Sequence, residues 1–248
     1  MLSATSISKT FKPSWHPFRQ GPSWPVQALR EVSIELPAAS ITALAGPNGA
    51  GKTTLMRCLA GILVSDAGTV TLNGQLLEPH RADLRAQIGV VLADERSFHL
   101  RLTAKQNLLF FARLFQCAAN EREQRVRDAL ELAHLADRAH TPYRELSTGM
   151  KRRLSFARST LGKPRVLLLD EASSGLDPDA RVLFLRALTE WVARESVAVL
   201  YAGHDLTELE QIADRVAVLR DGRLLTVSRW DEASEALQTA FPAAMAAT

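Results

Sequence analysis

Apolar and polar residues alternate along 29–36, where Leu29, Val32, Ile34 and Leu36 stand among Arg30, Glu31, Ser33 and Glu35. That period of two predicts a half-buried strand. Residues 6–11 are a second candidate strand. The stretch 12–27 between them holds four prolines together with Trp15, Phe18 and Trp24, the composition of a surface loop with an unusual aromatic content. Short apolar runs at 41–45 and 88–92 predict buried strands, and 69–75 predicts a strand entering an Asn-Gly turn. From 103 to 161 the spacing becomes helical, with Leu108, Phe111, Phe115, Val126, Leu130 and Leu132 set among many Arg and Glu. Strands return at 166–169, 197–201 and 216–219, and a helix over 178–194 joins the first two. This alternation predicts an α/β fold with parallel strands, crossover helices and a ligand at the carboxyl edge of the sheet. A helical subdomain over 95–162 is set into that core. The alanine-rich tail after Trp230 predicts one helix and a frayed end.

Composition narrows the function without naming it. The 248 residues are 46% hydrophobic and 23% charged, ordinary for a globular chain. A net charge of +3 is too slight to argue for nucleic-acid binding. No apolar run nears the roughly 18 residues needed to cross a bilayer, and the first thirty residues lack the apolar centre of a secretory signal. Cys58 and Cys117 are far apart and in no ligand-like pair, so two idle thiols in a reducing, cytosolic compartment are expected.

Candidate chemistry begins at Gly46-Pro47-Asn48-Gly49-Ala50-Gly51-Lys52-Thr53-Thr54, which satisfies G-x-x-x-x-G-K-[ST] between a predicted strand and a predicted helix over 53–59. Glycines at 46, 49 and 51 let the backbone turn tightly and aim N–H groups at phosphate oxygens, and the helix start adds further donors. Lys52 would reach the outer phosphates, and the Thr53 hydroxyl would coordinate Mg²⁺. A second signal is the run 166–171, in which four apolar residues deliver Asp170 and Glu171 to a strand end. Asp170 suits a Mg²⁺ ligand and Glu171 a general base for water. A third is 146–154, where Ser147 and Gly149 open a basic helix whose N-terminus suits an anion.

With these motifs together, the chain resembles the nucleotide-binding subunit of an ABC transporter. The family signature Leu-Ser-Gly-Gly-Gln is matched by Leu146-Ser147-Thr148-Gly149-Met150, Ser174-Gly175-Leu176-Asp177 matches the D-loop, and His204 follows a strand as the switch histidine does. Ser147 lies 23 residues before Asp170, and Lys52 lies 118 before it. The resemblance covers about residues 1–225. It implies a P-loop NTPase core of mostly parallel sheet with an antiparallel β subdomain, over 1–94 and 163–225, a helical subdomain over 95–162 and a tail over 226–248. It also implies head-to-tail homodimers that sandwich two ATP molecules. Each ATP is then held by the glycine loop of one copy and by Ser147 and Gly149 of the other; Asp177 joins the two sites, and His204 contacts the γ-phosphate and holds the attacking water. Adenine in this family stacks on an aromatic residue near the end of the first strand, where Phe11 is the leading candidate and Trp15, Phe18 and Trp24 are competitors.

Three positions depart from the family. Asp94 and Glu95 stand where the Q-loop glutamine belongs, and by register Asp94 takes that position as a Mg²⁺ ligand; the alternative is a displaced, noncatalytic loop. Thr148 and Met150 replace Gly and Gln of the signature. The resulting expectation is an ATPase, with ATP and Mg²⁺ as its ligands, peripheral at the cytoplasmic face of the cell membrane. It would drive a separate membrane permease, in the direction of export because the signature helix is most similar to exporter-type bacterial members and no regulatory domain follows His204. The alternative is a soluble ABC ATPase of a non-transport system such as iron–sulfur cluster assembly.

Overall fold

The computed structural model describes residues 1–12, 24–92 and 97–241. Along the chain run β1 (Leu2–Phe11), β2 (Val26–Leu36), β3 (Ser40–Ala45), α1 (Lys52–Leu59), β4 (Ala67–Leu72), β5 (Gln75–Leu76), α2 (Ala82–Arg85), β6 (Ile88–Val91), α3 (Ala104–Leu114), α4 (Arg122–Leu132), α5 (Thr148–Thr160), β7 (Val166–Asp170), α6 (Pro178–Glu195), β8 (Ala198–Gly203), α7 (Leu206–Ile212), β9 (Arg215–Arg220), β10 (Arg223–Ser228) and α8 (Ser234–Ala240). These elements fall into two compact units, one of residues 1–37, 42–85 and 202–248, the other of 38–41 and 86–201.

In the first unit an antiparallel sheet has the order β2-β1-β4-β5. Leu2 faces Leu36 on one side and Leu72 on the other, and all three are buried. The simple alternation expected of β2 is broken: Leu29 and Val32 are both buried although three residues apart. The cause is a pair of irregularities. Ser6 and Glu31 adopt φ of 51° and 52°, the register shifts between Ala4 and Ile7, and Ser6 N–H and Glu31 N–H donate to the hydroxyls of Ser33 and Ser8. Each bulge adds one residue and returns the apolar side chains to the core face. Likewise β4 ends at Leu72, so Gln75 lies beyond the turn rather than in that strand; Asn73 and Gly74, both at positive φ, make the tight hairpin. The same unit carries the run β10-β9-β3, with β3 parallel to β9 and β9 antiparallel to β10.

In the second unit the strands run β8-β7-β6, with β6 and β7 parallel and Val91 level with Leu169. All five residues of β7 are buried, as an apolar run predicts for a strand covered on both faces. Phe156 of α5 meets Phe184 of α6 edge-on at 5.1 Å. Asn107 of α3 is wholly buried, and its amide donates to the carbonyls of His99, Leu102 and Thr103 while its oxygen accepts from His99 N–H, which fixes the turn leading into the helix. Thr103 and Gln106 cap that helix reciprocally.

Cys58 and Cys117 are buried, free thiols. Burial pushes the Cys58 thiol up to about 11, far from reactive. Among the described residues, no helix is long and apolar enough to cross a membrane.

Asp66 ties the approach to β4 onto β1. Its carboxylate accepts from Lys9 Nζ at 2.7 Å and from Thr10 N–H at 2.6 Å, and the Lys9 hydrogen bond, with that of Thr10, holds its pKa below the ordinary 3.8. A depressed folded-state pKa stabilises above the unfolded value of about 3.9 and is lost as pH falls through the folded one. Asp66→Asn should therefore lower the urea midpoint at pH 7, and the gap to wild type should close as the pH is taken below about 4. A gap that stays constant with pH would remove Asp66 as an acid-sensitive tie.

Candidate functional site

The glycine loop leaves β3 and ends in α1, both within the first unit. Ala50 N–H donates to the Pro47 carbonyl at 3.1 Å, and Gly51 caps α1 at φ 105°, with Leu55 N–H on its carbonyl at 2.9 Å. Lys52 is 7% exposed and curls over the loop, its ammonium donating to the carbonyls of Gly46 (2.6 Å) and Pro47 (3.1 Å). A buried lysine ammonium at the mouth of a glycine loop is a cation suited to an anion. Thr53 and Thr54 are half-buried in the first turn of α1.

Two of the three glycines are required by close approach. A Cβ on Gly46 would lie 2.3 Å from the Leu219 carbonyl oxygen, and one on Gly51 would lie 2.5 Å from that of Ala28. Gly49, at φ 83°, faces open space. The walls of the loop are thus backbone of β2 and of the β9–β10 hairpin, whose Gly222 donates its N–H to the Ala50 carbonyl at 3.0 Å and accepts from Arg30 N–H at 2.7 Å. Sequence reasoning did not connect this hairpin to the loop. Its signal was present as Asp221-Gly222 between two strands, and both residues adopt positive φ.

His204 follows β8 directly and is exposed, and Asp205 caps α7, accepting from the N–H groups of Thr207 and Glu208 at 3.1 and 3.2 Å. Phe11 ends β1 opposite Val26, and Phe11, Val26 and nearby Trp24 all expose large apolar surface. Trp15 and Phe18, its sequence competitors, lie outside the described residues, as does Asp94.

The second unit carries the other set. Asp170 closes β7 and is 3% exposed. Glu171 follows at φ 50°, an uncommon backbone for a non-glycine residue, and its carbonyl accepts from Ser174 N–H at 3.0 Å. Asp177 caps α6 by accepting from Ala180 N–H at 2.9 Å. Ser147 caps α5 by accepting from Met150 N–H at 3.2 Å. A Cβ on Gly149 would lie 3.0 Å from Leu176 Cδ2 and 3.3 Å from the Gly175 carbonyl oxygen, so this turn packs tightly on the segment that carries Asp177. Ser147, Gly149, Asp170, Glu171 and Asp177 thus gather in one unit, while Phe11, the glycine loop and His204 gather in the other.

Mg²⁺ takes hard oxygen donors and keeps several waters or substrate phosphates. The Thr53 hydroxyl and the Asp170 carboxylate have that chemistry, and the buried carboxylate of Asp170 suits a cation. Among the described residues there is no group of three or more His, Cys, Asp and Glu that could hold a metal ion.

Residues 29–174 match the family described as "ABC transporter". Among curated proteins the chain is similar to "Nod factor export ATP-binding protein I" of Burkholderia lata, 38% identical over 192 residues, 77% of this chain and 62% of that protein. The protein of the same description in Rhizobium johnstonii is 37% identical over 202 residues, covering 81% and 64%. The chain therefore spans a little under two thirds of the length of these relatives. Among solved structures it resembles a dimeric ATP-binding cassette in a post-hydrolysis state with ADP and Pi (TM-score 0.81, 21% identity, 92% of this chain and 98% of that one). It also resembles an ATP-binding subunit of an ABC transporter (TM-score 0.80, 23% identity, 97% and 94%). At such identities the likeness is one of fold.

The glycine geometry sets an order of tolerance. Gly51→Ala meets backbone and an unfavourable φ and should cost about 3 kcal/mol or more, whereas Gly49→Ala meets only the φ penalty, about 1 kcal/mol. Urea unfolding of both variants checks this, and equal midpoints would show that the close wall at Ala28 does not constrain the loop.

Proposed function

Because the chain belongs to the ABC transporter family, we propose that it binds and hydrolyses ATP and passes the work to a separate membrane permease, in the direction of export. The observation that carries the reading is the glycine loop with its buried Lys52, walled by backbone at Gly46 and Gly51. Export is supported by the descriptions of the curated relatives as export ATP-binding proteins. In this reading residues 1–94 and 163–225 serve as the nucleotide core, 95–162 as the helical arm that carries the signature, and 226–248 as a tail.

Loop N–H groups and Lys52 hold the β- and γ-phosphates, and adenine stacks on Phe11. Thr53 and Asp170, with Asp94 at the Q-loop position, would hold Mg²⁺, which neutralises charge on the phosphates. Glu171 accepts a proton from water as its oxygen attacks the γ-phosphorus and the bond to ADP breaks. His204 holds that water in line. Two copies close head to tail, so that Ser147 and Gly149 of one copy meet the γ-phosphate held by the other, with Asp177 joining the sites. The permease docks on the helical arm around residues 94–115, where Leu100, Phe110, Leu114 and Phe115 expose apolar surface. This places the subunit peripherally at the cytoplasmic face of the cell membrane.

Three variants test this. Glu171→Gln should bind ATP, lose turnover by a factor of about a thousand and accumulate as a dimer that dissociates when ATP is removed, as read by ATPase assay with light scattering. Unaltered turnover removes Glu171 as the base. Ser147→Arg should spare ATP binding by the monomer and abolish hydrolysis, and normal hydrolysis by this variant would rule out the head-to-tail sandwich. Asp94→Ala should reduce turnover and change its Mg²⁺ dependence; if neither moves, the loop is noncatalytic. Copurification with a membrane protein supports the transport role, and its consistent absence beside full ATPase activity favours the soluble alternative.

A further inference from the structure

We infer that Arg158 is a positioning residue, the joint through which the aromatic face of α3 sets the placement of α5 and therefore of Ser147. The inference rests on the reading in which Ser147 and Gly149 meet a nucleotide. Arg158 stands near the end of α5, and its guanidinium donates in two directions, to the Val90 carbonyl in β6 at 2.9 Å and to the Ser97 hydroxyl at 2.7 Å. It also lies over two aromatic rings, 5.7 Å from the centroid of Phe98 and 5.1 Å from that of Phe111 in α3. Six residues earlier on the same helix, Arg152 donates to the Leu92 carbonyl at 3.2 Å. Two points of α5 are thus pinned to the carboxyl end of β6. That end lies beside β7, which delivers Asp170 and Glu171.

The aromatic contacts close the circuit. Phe98 stacks on Tyr143 at 4.9 Å with 17° between the planes and meets Phe111 edge-on at 5.4 Å. The Lys151 ammonium lies 5.3 Å over the Tyr143 ring, in the first turn of α5 beside the signature. Phe111 is in turn edge-on to Phe110, which exposes its other face and contacts His99. A push on Phe110 therefore meets a chain of rigid rings that ends on both halves of α5. Arg suits this joint because a planar guanidinium can serve two acceptors and stack on rings at once, and a lysine ammonium cannot.

The test compares wild type, Arg158→Ala, Arg158→Lys and Ser97→Ala in steady-state Mg·ATP hydrolysis. Equilibrium binding of a non-hydrolysable ATP analogue and thermal unfolding are measured alongside. Arg158→Ala should lower kcat about tenfold or more, since a small misplacement of a contact group is felt steeply, with analogue affinity within about twofold of wild type. Arg158→Lys should fall between, and Ser97→Ala should lose a few-fold of kcat. Wild-type kcat in Arg158→Lys overturns the inference. So does a loss of kcat that merely tracks a loss of folded protein or of analogue affinity, the mark of a structural role. Should Arg158→Ala fail to fold, the Lys and Ser97 variants decide. A wild type that binds no analogue rejects the nucleotide reading itself, and the inference with it.

Discussion

An anion can be held by backbone N–H groups only if the backbone already points them at one place, and that requirement governs the first unit. Ordering the loop at the moment of binding would cost about 1–2 kcal/mol for each residue fixed. Here the order is supplied beforehand by elements distant in sequence: the Ala28 carbonyl behind Gly51, the Leu219 carbonyl behind Gly46, and the Gly222 N–H on the Ala50 carbonyl. Antiparallel β2, the β9–β10 hairpin and parallel β3 have to be in register before the loop has its shape. The local motif is thus a tertiary product, and its three glycines are unequal because only two of them face a wall.

The second unit meets a similar demand with helix caps. Ser147, Asp177 and Thr103 each occupy an N-cap and accept an N–H of the first turn, which fixes where α5, α6 and α3 begin. The capping residue of α5 is also the one proposed to meet the nucleotide, and that of α6 the one proposed to join the two sites, so stability and proposed function bear on the same side chains. Glu171 adds a different constraint. Its φ of 50° costs free energy of order 1 kcal/mol or more, and it is retained where the chain must turn sharply out of a buried strand while presenting a carboxylate.

Much of this was legible because it is local. The glycine loop, the apolar run ending in Asp170 and Glu171, and the Asn73-Gly74 turn each carry their chemistry within a few residues. What stayed hidden depends on partners far along the chain. Nothing in Ser6 or Glu31 announces paired bulges, because each is a polar residue whose role is set by the strand opposite. The edge strand β10 mixes Arg, Leu, Thr and Ser without a clean period, since an edge is only partly buried. Arg152 and Arg158 read as two charges in a basic helix, and only the carbonyls of β6 turn them into a clasp. Phe11 stands between these cases. The structure places it at the exposed end of β1, a suitable post for adenine, while two of its competitors lie outside the described residues.

The two departures in the signature can now be weighed by geometry. At position 150 the backbone N–H makes the cap, donating to Ser147 Oγ, so that hydrogen bond leaves the side chain free to change from Gln to Met. At 149 a side chain would press on Leu176 and on the Gly175 carbonyl, which would have to yield by a few tenths of an ångström. At 148 the threonine methyl lies 3.5 Å from where a Cβ on Gly175 would sit, ordinary contact distance. The bulk at 148 would thus leave room even for a Cβ at 175, and it is the φ of 76° that favours glycine there. Thr148 is therefore admitted without a clash on the segment that carries Asp177, and Gly175 is set by its own backbone.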